Sequence, residues 1–141
     1  MKNILYIALI SMFAAISQGC KKSADLPSTL AGTWELRQVS GNFTINYPAG
    51  NKHILKFTET GYERYDKDTL TKKGVYNIIP DSTVEQNVCL VGLTNTYKTR
   101  IVYDNQYNGP KVFINITPKE LNAISGCFAS DGGSKTSYQR Q

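Results

Sequence analysis

Lys111-Val112-Phe113-Ile114-Asn115-Ile116-Thr117 is the stretch on which the fold turns. Val112, Ile114 and Ile116 fall on one face, and Phe113 and Asn115 on the other. That period of two is the pattern of a β-strand with a buried face. Working outward, Leu121 to Ser125 and Thr136 to Arg140 read as further strands around a Gly-rich turn at Asp131-Gly132-Gly133. On the other side, Thr99 to Tyr103 is a strand, joined to 111–117 by the polar turn from Asn105 to Pro110. Val84 to Leu93 is apolar in patches and carries Cys89. Leu70 to Ile79 is a strand with Tyr76 and Ile78 on one face, and Gly74 is expected to mark a bulge or bend. His53 to Thr58 and Tyr62 to Tyr65 form a hairpin through Glu59-Thr60-Gly61, with Leu55 and Phe57 sharing a face. The first strand, Trp34 to Val39, places Trp34 beside Leu36. No segment shows a helical stripe. Eight or nine short strands with local turns predict an all-β, antiparallel up-and-down meander. Closing it into a small barrel of about eight strands removes its exposed edges. A small sandwich is the alternative.

The N-terminus is of a different kind. Met1-Lys2-Asn3 is a short basic start, and Ile4 to Ile16 is an uncharged apolar run. The run falls short of the roughly 20 apolar residues that a membrane-spanning helix needs. It fits the core of a cleavable secretory signal. Ile16-Ser17-Gln18-Gly19-Cys20 resembles a bacterial lipobox, with Ser17 standing where Leu is commoner. The resemblance implies that Cys20 is acylated, as with palmitate, and becomes the new N-terminus after residues 1–19 are removed. An ordinary secretory signal with a chance Cys is the other reading. Residues 20–29 contain Lys21-Lys22, Asp25 and Pro27 without apolar periodicity, and read as a flexible tether. Residues 30–141 then form one domain.

The 141-residue chain has a formal net charge of +5. Its basic residues are scattered, so no nucleic-acid partner is expected. Apart from Cys20, the cysteines are Cys89 and Cys127, and an oxidising compartment makes a disulfide between them plausible. Two separate buried thiols are the other reading. With a single His, His53, and no close Cys pair, no metal site or cofactor is expected. No Gly-x-Ser-x-Gly, His-Glu-x-x-His or phosphate-loop pattern occurs, so the chain reads as non-enzymatic.

Gly32-Thr33-Trp34 resembles the opening signature of the lipocalins. In that family the Trp plugs the closed end of the barrel and an Arg from the last strand packs across it, a role the resemblance gives to Arg140. The order of Gly32-x-Trp34, Leu55 to Tyr62, Asp131-Gly132 and Tyr138-Gln139-Arg140 also resembles small lipocalin-like lipoproteins of Bacteroidetes. That resemblance implies a monomer anchored by lipid at the outer membrane, because Lys21 rather than Asp follows Cys20, and facing the periplasm, because only Asp25 is acidic in the stretch after the Cys. It further implies a small hydrophobic ligand, with Leu36, Leu55, Phe57, Tyr76 and Val112 as lining residues. The same side chains would fill a narrow barrel, so two other readings stand beside it. One is an interaction or structural module of an envelope complex with a filled core. The other is an inhibitor-type barrel acting through a loop such as Asn105-Gln106-Tyr107-Asn108.

Overall fold

A computed structural model describes residues 30–141. The expected leader and tether, and Cys20 with them, lie outside the described residues. Among the described residues there are nine strands. They are β1 (Gly32–Ser40), β2 (Thr44–Asn46), β3 (Ile54–Phe57), β4 (Gly61–Asp66), β5 (Thr69–Pro80), β6 (Thr99–Tyr103), β7 (Val112–Ile116), β8 (Glu120–Ser125) and β9 (Ser134–Arg140). From β3 to β9 each strand pairs antiparallel with the next, and β9 pairs back onto β1. The result is a closed eight-stranded antiparallel barrel with β2 as an extra strand.

Closure depends on how β1 divides its edges. Along Trp34–Ser40 one edge is taken by β9. The other edge is shared: β3 pairs with Gly32–Glu35 and β2 with Gln38–Ser40. All three residues of β2 are exposed, and a strand of three residues is too short for its alternation to mark it.

Register decides what faces inward. Trp34 lies opposite Leu55, Phe57 opposite Tyr62, Ile101 opposite Val112, Ile114 opposite Ala123, and Leu121 opposite Tyr138. These residues form one apolar cluster, in which Trp34 is completely buried. Burial of such side chains contributes roughly 1.5–3 kcal/mol each.

The alternate residues of β7 and β8 face outward, yet Phe113 and Ile124 are also buried. A short helix, α1 (Val84–Val88), covers them. Val84 and Val88 lie four residues apart, on one face, and pack with Tyr97, Phe113 and Ile124 in a second cluster. This helix corrects the expectation that no segment is helical. It is little more than one turn long and has only Val84 and Val88 as apolar residues, so periodicity has no room to show. Cys89 ends α1 in the left-handed conformation and is disulfide-bonded to Cys127, with Cα atoms 5.0 Å apart. The link closes a loop of sequence separation 38, and such a loop contributes about 3–4 kcal/mol on chain-entropy grounds.

Asp81 ties the start of α1 to the sheet. Its Oδ1 accepts hydrogen bonds from Thr83 N at 2.9 Å and Thr83 Oγ1 at 2.6 Å. Its Oδ2 faces Lys111 Nζ at 3.0 Å. Arg100 Nε lies 3.2 Å from Oδ2 but off the line of a hydrogen bond, so that contact is an ion pair. Burial disfavours the charged carboxylate, but the hydrogen bonds from Thr83 and Lys111 outweigh it and hold Asp81 down at about 2.

Gly74 is not the expected bulge. It pairs in register with Tyr62, and the irregularity in this hairpin falls between Arg64 and Tyr65. Gly74 is instead a place of close approach: a Cβ there would collide with the Asp104 carboxylate and press on the Tyr62 ring. That space lets Tyr62 donate to Asp104 Oδ2 at 2.9 Å, with Lys72 Nζ 3.3 Å from the same oxygen.

Candidate functional site

One end of the barrel is floored by Trp34. Its indole Nε1 donates to Leu30 O at 2.8 Å, so the buried ring leaves no polar atom unpaired. The Arg140 guanidinium stacks over the ring, 4.1 Å from its centroid, a contact of about 0.5–2 kcal/mol. Arg140 is aimed by donating Nε to Pro118 O and Nη1 to Ala31 O. Gly32, at φ +139°, is the backbone over which this side chain passes, and a Cβ there would collide with it. Gly32, Trp34 and Arg140 thus form one assembly at the base.

Inside the barrel lies a chamber of about 160 Å³. Its lower wall is apolar, built from Leu55, Phe57, Ile101, Ile114 and Leu121. A wider mouth of about 410 Å³ continues it, bordered by Leu36, Val39, His53 and Tyr65. Chamber and mouth share Leu55, Arg64, Thr136 and Tyr138, so one passes into the other. The mouth falls in the volume range of small-molecule sites.

Of the residues expected to line a site, Leu55 borders both spaces, Phe57 and Val112 the chamber, and Leu36 the mouth. Tyr76 sits apart. Its ring packs edge-on against Phe57 at 4.9 Å, its hydroxyl donates to Thr58 O at 2.7 Å, and it borders a separate open groove of about 740 Å³ beside Ile78 and Ile116.

Sequence reasoning missed the polar members of the chamber. Arg64 lies where chamber and mouth meet and is exposed through the mouth. Tyr103 and Tyr138 also border the chamber. Burial raises both phenols above their ordinary range, and the Arg64 charge partly opposes the rise. Both hydroxyls therefore stay protonated as donors. The available signal was the strand period: in Tyr62-Glu63-Arg64, the inward-facing Tyr62 puts Arg64 on the same face.

At the rim, His53 Nδ1 is 3.1 Å from Asp66 Oδ1, and the imidazole meets the Tyr47 ring edge-on at 5.2 Å. Among the described residues, no three His, Cys, Asp or Glu side chains gather as metal ligands. No helix among them is long and apolar enough to cross a membrane. Comparison of the chain with protein-family models, with curated proteins and with solved structures gives no match.

Proposed function

We propose that the chain is a lipid-anchored envelope lipoprotein with a lipocalin-like barrel that binds one small hydrophobic ligand. One observation carries the binding half of this reading. The chamber inside the barrel, walled by Leu55, Phe57, Ile101, Ile114 and Leu121, shares Leu55, Arg64, Thr136 and Tyr138 with a wider mouth, so a ligand has a way in to an apolar wall. The anchoring half rests on the lipobox-like Ile16 to Cys20, the outer membrane on Lys21, and the periplasmic side on Asp25 being the one acidic residue soon after Cys20. The barrel works here as a container, as a monomer and without catalysis.

Native mass spectrometry of the protein isolated from its own envelope tests the binding half. A retained non-covalent apolar molecule is the expected result, and protein that is always empty counts against it. Cys20→Ala tests the anchor: the acyl mass increment should vanish and the protein should leave the membrane fraction.

A second reading is an interaction module. The exposed apolar side chains Phe43 (83%) and Ile45 (54%) at the β1–β2 hairpin favour it. Copurification of one stoichiometric protein, lost in a Phe43→Ser variant, would establish that alternative.

A further inference from the structure

We infer that the barrel selects an anionic amphiphile, a short acyl carboxylate whose head is held by Arg64 with the Tyr103 and Tyr138 hydroxyls and whose tail enters the apolar chamber. This rests on the ligand-binding reading above and names the chemistry of that ligand.

The argument begins with what Arg64 lacks. Lys72 faces Asp104, Lys52 faces Asp68, His53 faces Asp66 and Lys56 faces Glu63. Lys67 and Lys73 on the same hairpin face no carboxylate among the described residues, but only Arg64 borders the chamber and its mouth. Among the described residues the Arg64 guanidinium has neither a carboxylate nor a hydrogen-bond acceptor. The tyrosines divide in the same way. Tyr62 donates to Asp104, Tyr65 to Glu63 and Tyr76 to the Thr58 carbonyl. The Tyr103 and Tyr138 hydroxyls, both bordering the chamber, have no acceptor among the described residues. One cation and two phenols without acceptors thus converge on a single space.

All three groups donate, and the acceptor that satisfies them together is an anion. Guanidinium matches carboxylate bidentately, through two parallel hydrogen bonds. Burial raises Tyr103 and Tyr138, so neither phenol becomes a competing anion. The nearest acid on the mouth, Asp66, is engaged by His53. Beneath the donors the wall turns apolar at Leu55, Ile101 and Leu121, which sets the polarity of the ligand: head toward the mouth, tail toward Trp34. The small chamber favours a short tail.

The test uses the full chain in phosphatidylcholine nanodiscs, with octanoate isotope-labelled at its carboxyl carbon and octan-1-ol labelled at the same position. Nuclear magnetic resonance then separates ligand in the barrel from ligand in lipid. Octanoate should give a bound resonance of its own and bind about tenfold more tightly than octanol. Arg64→Gln, at an exposed position, should keep the fold and weaken octanoate by about tenfold more than it weakens octanol. Equal affinity for the two probes, or octanoate binding unmoved by Arg64→Gln, overturns the anionic assignment and leaves a ligand-binding barrel standing. Binding of neither probe overturns both.

Discussion

The two apolar clusters lie on opposite faces of the same strands, yet one is hollow and the other solid. On β7, Ile114 faces a chamber of about 160 Å³, whereas its neighbour Phe113 is fully buried beneath α1. On β8, Leu121 and Ala123 line the chamber and Ile124 joins Phe113. The solid side also holds the disulfide and the Asp81 ion cluster. Atoms that line a void lack partners on one side and forfeit dispersion energy. A barrel that keeps an internal space therefore gains by carrying extra packing on its outside, and this one carries it on β7 and β8.

Truncation on each side is the strongest way to break that contrast. Phe113→Ala should cost about 4 kcal/mol, because it opens a new cavity in a filled cluster. Leu121→Ala should cost only about 2 kcal/mol, the low end for such changes, because the space beside it already exists. Equal shifts in the urea midpoint would show that the two sides are equally packed. Replacing Cys89 and Cys127 together by Ser should cost about 3 kcal/mol. Ligand affinity should not change, since neither residue borders the chamber.

Asp81 sharpens the comparison through pH. Its carboxyl is held at about 2 against an ordinary 3.8. A lowered value means that the stabilisation is present above the unfolded pKa and is lost as pH falls toward the folded one. Asp81→Asn should therefore cost about 2 kcal/mol at neutral pH. It should also flatten the acid destabilisation between 3.8 and about 2 in a chemical-denaturation series. The smallest effect belongs to the hollow side. Tyr138→Phe removes a hydroxyl that has no acceptor among the described residues, so stability should stay within about 0.5 kcal/mol. A larger thermal shift would mean that the hydroxyl is already satisfied.

The solid side was also the harder one to read from sequence. The period of two in 111–117 is enough to place Val112, Ile114 and Ile116 inward and to assign the strand. It sets Phe113 on the other face but cannot tell that α1 covers it. The element doing the covering is five residues long, too short for a helical period to register. Chain order and turn chemistry made the meander and its closure legible, but β2 is only three residues long and exposed throughout, too short for a period of two to register. At the site, the apolar lining followed from alternation. Arg64 did not stand out because, in a short strand that also carries Glu63 and Asp66, its charge looks like a solvent-facing one until the register of β3 and β5 is known.

The pairing of β1 with β9 has a consequence for how the protein is made. Arg37 and Gln139 are bonded across 102 positions of sequence, and β9 is the last of the barrel's strands to leave the ribosome. Until then, β1 has one satisfied edge and one open edge, the kind of edge that templates aggregation. Such long-range closure is slow relative to local hairpin formation. The edge of β1 that β9 covers is therefore the last part of the barrel to be closed, whichever compartment the chain folds in.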